Sequence, residues 1–389
     1  MAQGQPGGAS RVRRRRSAVA MMAFSVLAVL ARITPAFAAT PILPAVAPGY
    51  GVGVFAPGVP SAREFAAGPP GLMFVGSKTA GNVYALSYDP LSPTKATRVR
   101  VIARGFEMPT GIAYRNGDLY IADIRRILVV RDVLHHLDAP AKPEVIVNDL
   151  PWKEGDHDWK FIAFGPDGKL YVPIGSPCNA CYTGPDFATI LRMNADGSQR
   201  ERIASGVRNT VGFDWQPGTG TFWFTENGRD NLGDDLPSDE LNRLDKVGAH
   251  FGFPYCHQGD LADPELGQGH PCERYTPPAV RLGAHLAPLG MRFYTGTAMP
   301  ELRGGVVIAE HGSWNRTGYA GYRVIGLPRV PTTGTATAKG EIVLMNFLTP
   351  DGQVTGRPAD VQPLSDGSIL VSDDRQGAIF RLVGKEKAS

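Results

Sequence analysis

Six copies of one short pattern, a composition rich in Gly and Pro, and no run of helical periodicity together predict an all-β chain closed into a six-bladed β-propeller. Of 389 residues, 47 are Gly and 33 are Pro. Helical bundles avoid both inside their elements, whereas turn-rich β architectures use them at their reversals. Hydrophobic residues make up 43% and charged residues 20%, the balance of an ordinary globular protein.

Each copy is a turn with Gly or Asp-Gly, then a short apolar strand, then a polar or acidic end. The first runs Pro70-Gly71-Leu72-Met73-Phe74-Val75-Gly76, and the second Asn116-Gly117-Asp118-Leu119-Tyr120-Ile121-Ala122-Asp123. Asp167-Gly168-Lys169-Leu170-Tyr171-Val172 is the third, and Gly220-Thr221-Phe222-Trp223-Phe224-Thr225-Glu226 the fourth. Arg303-Gly304-Gly305-Val306-Val307-Ile308-Ala309-Glu310 and Asp366-Gly367-Ser368-Ile369-Leu370-Val371-Ser372-Asp373 complete the set. A following strand is readable at 82–86, 127–131, 189–193, 322–327 and 378–383, and is least clear after the fourth copy. The first four copies lie roughly 45–52 residues apart, the spacing of four-stranded blades. One Asp-Gly turn would announce only a hairpin; six in sequence favour a propeller over an array of sandwiches. Residues 39–67 read as an opening strand and loops, 228–285 as an elaborated loop, and 132–137 and 238–244 as single helical turns.

The N-terminus reads as a signal peptide over residues 1–38, leaving a propeller domain over 39–389. Arg11 and Arg13 to Arg16 are its basic start, 18–31 its apolar run, and Ala36-Phe37-Ala38 a small-x-small cleavage pattern. The apolar run meets Arg32 and is short for a span, so an uncleaved anchor is the weaker reading and no membrane span remains after processing. A periplasmic or secreted protein follows, exported by a Sec or Tat route. The formal charge of +3 includes six leader arginines, so the mature chain carries about −3 and offers no basic stripe for nucleic acid.

An exported chain with four cysteines is expected to form disulfides, here the local pairs Cys178–Cys181 and Cys256–Cys272. One C-x-x-C alone makes a poor zinc site, and no C-x-x-C-H for haem is present. A structural bridge is favoured over a redox pair because no thioredoxin-like βαβ pattern surrounds it.

Five loop stretches concentrate chemistry. Asp156-His157 fits either a tuned general base or a surface pair. Gly206-Val207-Arg208-Asn209 offers a planar guanidinium and an amide, suited to carboxylates or a quinone carbonyl. The stretch 225–240 holds many carboxylates, which calls for solvent or for a hard cation such as Ca²⁺. It lacks the ligand order of an EF-hand. His311-Gly312-Ser313-Trp314-Asn315-Arg316 follows the fifth inner strand, and Gly356-Arg357-Pro358-Ala359-Asp360-Val361 precedes the sixth blade. If the ring closes, Arg208, Arg316 and Arg357 are expected to converge on one anionic ligand. His285 is a candidate for the substrate pocket, while His250, His257 and His270 read as structural and His135 and His136 as surface residues.

In this order, these stretches resemble the soluble quinoprotein glucose/sorbosone dehydrogenase family, from about Phe106 to Leu382. The likeness is carried by Asp156-His157 leading into Phe164-Gly165-Pro166-Asp167-Gly168-Lys169-Leu170-Tyr171, by 206–209, by 226–242, by 311–316 and by Arg357-Pro358-Ala359-Asp360-Val361. It looks closer to the sorbosone-dehydrogenase-like branch. The resemblance implies a propeller using pyrroloquinoline quinone and Ca²⁺ to oxidise an aldose, sorbosone or related sugar or alcohol. It implies that His157 takes the hydroxyl proton while a hydride passes to the quinone, that Asp156 orients His157, and that Arg208 stabilises negative charge on the quinone oxygen. Arg208, Asn209, Arg316, Arg357 and His311 would hold the cofactor, and the backbone carbonyls of Gly228 and Arg229 the Ca²⁺. An external quinone or cytochrome would take the electrons. This chain departs from the family where Phe106 to Thr110 replaces a cofactor-side Gln, where Ala359 replaces one cofactor arginine, and where the cofactor lysine is absent from 311–316, with Arg316 as its replacement.

Two other functions compete. A Ca²⁺-dependent propeller lactonase would use the acidic loop and Glu310, and would leave the arginines without purpose. A non-catalytic propeller binding glycan or protein would not need a His base beside an arginine cluster.

Overall fold

In the computed structural model, residues 40–384 are described apart from 141 and 156; the expected leader over residues 1–38 lies outside them. Strands dominate, with only 3₁₀ turns as helix among the described residues. They form six sheets of four or five strands and one two-stranded ribbon. The architecture is a six-bladed β-propeller.

The first blade is built from Ala62–Ala67, Leu72–Ser77, Asn82–Tyr88 and Ala96–Arg104, in that order outward. The second uses Gly111–Arg115, Asp118–Ala122, Ile127–Val130 and Glu144–Val147. The third begins at Ala163–Phe164, the fourth at Phe213–Trp215 and the fifth at Pro288–Phe293. The sixth starts at Pro358–Pro363 and ends on Gly51–Pro57, so the N-terminal strand pairs with Ala378–Val383 and closes the ring. What the sequence offered as an opening strand is therefore the last strand of the last blade.

All six repeated stretches are strands, but they are second from the axis rather than innermost. Innermost strands of neighbouring blades touch one another around the axis. They are shorter and more polar in places, which is why they lack the apolar signature. Blade stacking explains that signature. Six hydrophobic clusters each lie between two neighbouring blades, such as Phe74 and Ile121 between the first and second. Alternate side chains of one strand feed opposite clusters: Phe74 packs toward the second blade, Met73 and Val75 toward the sixth. A strand covered on both faces reads as a continuous apolar run.

Ser238–Leu244 corrects an expectation. It is a full strand paired along Phe222–Glu226, not a helical turn. Its sequence is polar because Asp239, Glu240 and Asn242 are buried in a hydrogen-bonded network, so no apolar alternation marks it. The turn expected at 132–137 is present as a 3₁₀ turn, Val133–His136.

At the axis, carboxylates link successive innermost strands. Asp360 accepts from the Phe65 N–H (2.8 Å), Glu64 from Ile112 (2.9 Å) and Ile162 (3.1 Å), and Asp214 from Phe293 (2.8 Å). Above them Val211, Leu289 and Ala359 pack with Trp159 into an apolar plug. Both expected disulfides are formed, Cys178–Cys181 and Cys256–Cys272.

Candidate active site

Loops of the first, third, fourth, fifth and sixth blades surround a cavity of about 240 Å³. Leu289 and Trp159 of the plug form part of its wall.

His157 lies in this wall, almost fully buried. Its backbone is left-handed, with φ 63°. Gly175 makes that conformation possible, since a Cβ there would lie 2.6 Å from both the Cβ and the carbonyl oxygen of His157. The imidazole Nδ1–H donates to the Ser176 carbonyl at 2.7 Å. A carbonyl only accepts, so the proton sits on Nδ1 and Nε2 keeps its lone pair. Nε2 has no partner among the described residues. Burial first, and the Arg208 charge second, push the His157 pKa down to about 3, so the ring is a neutral base over the ordinary pH range. Asp156, its expected orienting neighbour, lies outside the described residues.

Arg208 is also buried and faces the same cavity. Its Nε donates to the Asn179 carbonyl (2.9 Å) and Nη1 to the Asn227 carbonyl (3.2 Å). Nη2 donates to Asn179 Oδ1 (2.9 Å) and Asp230 Oδ2 (2.8 Å). A guanidinium bonded along three sides is a fixed charge with almost no rotational freedom. Asn209 lies beside it and donates to Asn227 Oδ1 at 3.1 Å.

A second cationic group closes the other side. Arg63, Lys78 and Arg357 line the cavity together with His311. Asp374 organises them, pairing with Arg63 at 2.7 Å and with His311 at 3.0 Å. Those cations hold the Asp374 carboxyl far below the usual range despite its burial. Arg357 donates to the carbonyls of His311 (3.2 Å) and Gly312 (2.9 Å) and lies over the Tyr322 ring. The Lys78 ammonium sits 4.4 Å from the centre of the Trp159 ring, a cation–π contact. Its side chain makes no ion pair or hydrogen bond among the described residues, and burial lowers its pKa.

The acidic side is quieter than its sequence suggests. Asp239 accepts from the N–H groups of Gly228 (2.8 Å), Leu286 (2.6 Å) and Ala287 (2.9 Å), and burial raises it to about 6. Glu226 and Glu240 face each other across paired strands, both buried. Burial first, and the neighbouring Glu240 charge second, push the Glu226 carboxyl well above its ordinary range. The Gly228 and Arg229 carbonyls accept no hydrogen bond among the described residues, and Gly228 lines the cavity. The Arg229 side chain turns away, to Asp263 and Glu265.

The cavity thus brings together His157, Arg208, Asn209, His311, Arg357 and Gly228 from the sequence-derived set, with His285. Arg316 is the correction. Its guanidinium donates to the carbonyls of Asp234 and of Ala284 (3.2 Å), and it is not among the residues lining the cavity. It pins the acidic loop to the fifth blade instead. Glu310, the lactonase candidate, is fully buried against Arg323 and does not line the cavity either. Sequence reasoning missed Arg63, Lys78, Trp159 and Asp374. A faint signal existed in Arg63-Glu64, an adjacent charged pair between apolar residues in a stretch taken for loop.

Comparison with known proteins bears on the fold and the family. A family model described as Glucose / Sorbosone dehydrogenase matches residues 122–315, and one described as TrAA12-like matches 261–385. An uncharacterized protein of Borreliella burgdorferi is 34% identical over 326 residues, covering 80% of this chain and 83% of that protein. Among solved structures, the Trichoderma reesei carbohydrate-active enzyme of family AA12 superposes with a TM-score of 0.76 at 20% identity, over 88% of this chain and 97% of that one. The PQQ domain of pyranose dehydrogenase from Coprinopsis cinerea gives 0.75 at 18%, over 87% and 96%. The PQQ-bound aldose sugar dehydrogenase of Streptomyces coelicolor gives 0.58 at 20%, over 87% and 99%. Fold and site define a propeller with a cation-ringed axial pocket. The chain belongs to the glucose/sorbosone dehydrogenase family, which places it among oxidoreductases.

Proposed function

We propose that this protein oxidises an aldose, sorbosone or related sugar or alcohol with pyrroloquinoline quinone, His157 acting as general base. The observation that carries this reading is the unpartnered Nε2 of His157 in a cavity ringed by Arg63, Lys78, Arg208 and Arg357. A surplus of fixed cations suits a flat polycarboxylate, and the Trp159 ring offers it an aromatic wall. Lys78, Arg63, Arg357 and His311 would hold its carboxylates, and Arg208 and Asn209 its quinone edge. The two free carbonyls at Gly228 and Arg229 are hard oxygen donors of the kind Ca²⁺ takes. When bound, the quinone accepts the substrate hydride and the Ca²⁺ acts as a Lewis acid.

This chain's own residues supply the rest. His157 Nε2 takes the proton of the substrate hydroxyl, and Nδ1–H stays on the Ser176 carbonyl, which holds the tautomer. The fixed Arg208 charge stabilises negative charge that builds beside it, without reorganising. The plug of Val211, Leu289, Ala359 and Trp159 keeps water from reaching the site along the axis. Export by an N-terminal leader is part of the same proposal. Two disulfides support it, and among the described residues no helix is long and apolar enough to cross a membrane.

The test is reconstitution of the purified protein with Ca²⁺ and pyrroloquinoline quinone, followed by dye reduction over aldoses, sorbosone and alcohols. His157→Ala is expected to lower turnover by about 10²–10⁴-fold while the quinone still binds, as followed by its absorbance. Unchanged turnover in that variant rejects the base assignment, and lactone hydrolysis without quinone rejects the dehydrogenase reading.

A further inference from the structure

We propose that Asn179, held inside the ring closed by Cys178–Cys181, is the positioning residue that sets Arg208 against His157; this rests on the oxidoreductase reading above. Asn179 grips one edge of the guanidinium with two oxygens. Its backbone carbonyl accepts from Arg208 Nε and its Oδ1 from Arg208 Nη2, both at 2.9 Å. Two parallel bonds on one edge fix the plane of the group as well as its place. The same Oδ1 accepts from the Asp230 N–H (2.7 Å), and Nδ2 donates to the Asp230 carbonyl (3.1 Å). One side chain therefore ties Arg208 to the loop that carries the free Gly228 and Arg229 carbonyls.

The ring is anchored to the base as well. Ser176 Oγ donates to the Cys178 carbonyl at 2.9 Å, and the Ser176 N–H donates to the Arg208 carbonyl at 2.8 Å. The Ser176 carbonyl is the acceptor that fixes the His157 tautomer. Residues 176–179 thus hold imidazole and guanidinium from one short piece of chain. Left open, such a loop would sample many conformations, and the Cys178–Cys181 bridge removes most of them. The bridge closes a ring of four half-buried residues that belong to none of the blade cores, so its contribution falls on the geometry of the site.

The experiment is Asn179→Ala in the full exported chain with both disulfides intact. A displacement of about 1 Å at a reacting group costs about 10²-fold, so kcat at saturating quinone is expected to fall about 10–100-fold. The substrate KM is expected to stay within about threefold, because Asn179 is not among the residues lining the cavity. Asn179→Asp keeps the acceptor oxygen and is expected to recover most of kcat. Replacing both Cys178 and Cys181 by Ser is expected to reproduce the kcat-selective loss. Turnover of Asn179→Ala within about twofold of the parent overturns the proposal, as does an equal loss in the Asp and Ala variants. Crystal structures of the quinone-free parent and Asn179→Ala provide a readout independent of turnover: the Arg208 guanidinium is expected to move. If it moves but the parent takes up no quinone, the proposed quinone-dependent function falls and the positioning role stands. If it stays in place, the positioning role falls whatever the enzyme does.

Discussion

His157 depends on a residue with no side chain. Its left-handed backbone sits against Gly175, and Gly175→Ala would drive a methyl into it. Overpacking of this kind costs about 1–3 kcal/mol, and here the strain falls on the proposed base. We expect activity to drop much more than the unfolding midpoint in urea. The low pKa of His157 has burial as its first cause and the Arg208 charge as its second. Removing a like charge favours protonation, so Arg208→Ala should move the His157 titration upward, as read by histidine proton NMR in the quinone-free protein. A downward or absent shift would show that the two groups do not sense each other. Glu310 gives a stability test. Burial raises its pKa to about 7, one oxygen has no partner, and Arg323 only partly offsets the cost. A raised carboxyl pKa gives stability that is complete below the unfolded value near 4.5 and is lost as pH rises through 7. That decline is about 3 kcal/mol. Glu310→Gln should remove it, so the variant should gain on the parent between pH 5 and pH 8 in urea denaturation.

Among the elements, the repeated strand was legible because it is covered on both faces by neighbouring blades. The strand Ser238–Leu244 was not, because its buried face is polar and serves the network around Asp239 and Glu240. The innermost strands escaped for a related reason: Arg63, Glu64, Asp214 and Asp360 stand where an apolar pattern would be sought. Gly51–Pro57 looked like a lead-in and is the clasp of the ring. Phe55 carries that role, buried against Ile379 and Leu370 of the last blade and Met73 of the first. Phe55→Ala should cost about 3–5 kcal/mol, measured by urea denaturation, with no change in substrate KM in the folded fraction. A cost below about 1 kcal/mol would mean that the clasp does not hold the ring.

For the whole molecule, the ring is a closed set of pairwise blade contacts with an exceptional fourth blade. Between Leu244 and Val280 the chain leaves that blade: Ala249–His250 pair with the third blade's outer strand Glu201–Ser205, and a loop beyond is stapled by Cys256–Cys272 across a sequence separation of 16. Cross-linking a loop of that length is worth about 3 kcal/mol by chain entropy. Replacing both cysteines by Ser should lower stability by about that amount while the Cys178–Cys181 loop and the axial cavity keep their geometry. A loss of quinone binding with stability unchanged would place this staple in the site instead.

The residues themselves determined the number of blades, the stretch of chain that forms the repeated strand of each and both disulfide pairs, because those features rest on local pattern: short apolar runs, turn chemistry and short cysteine spacing. They also marked His157, Arg208 and Arg357 as loop residues with chemistry to perform. Which cations meet was decided only by closing the ring. Arg63 and Lys78 come from the first blade, Asp374 and Arg357 from the sixth, and Arg316 is turned aside onto backbone carbonyls. Distances across the axis depend on how six sheets stack around it, and no stretch of chain encodes that stacking alone.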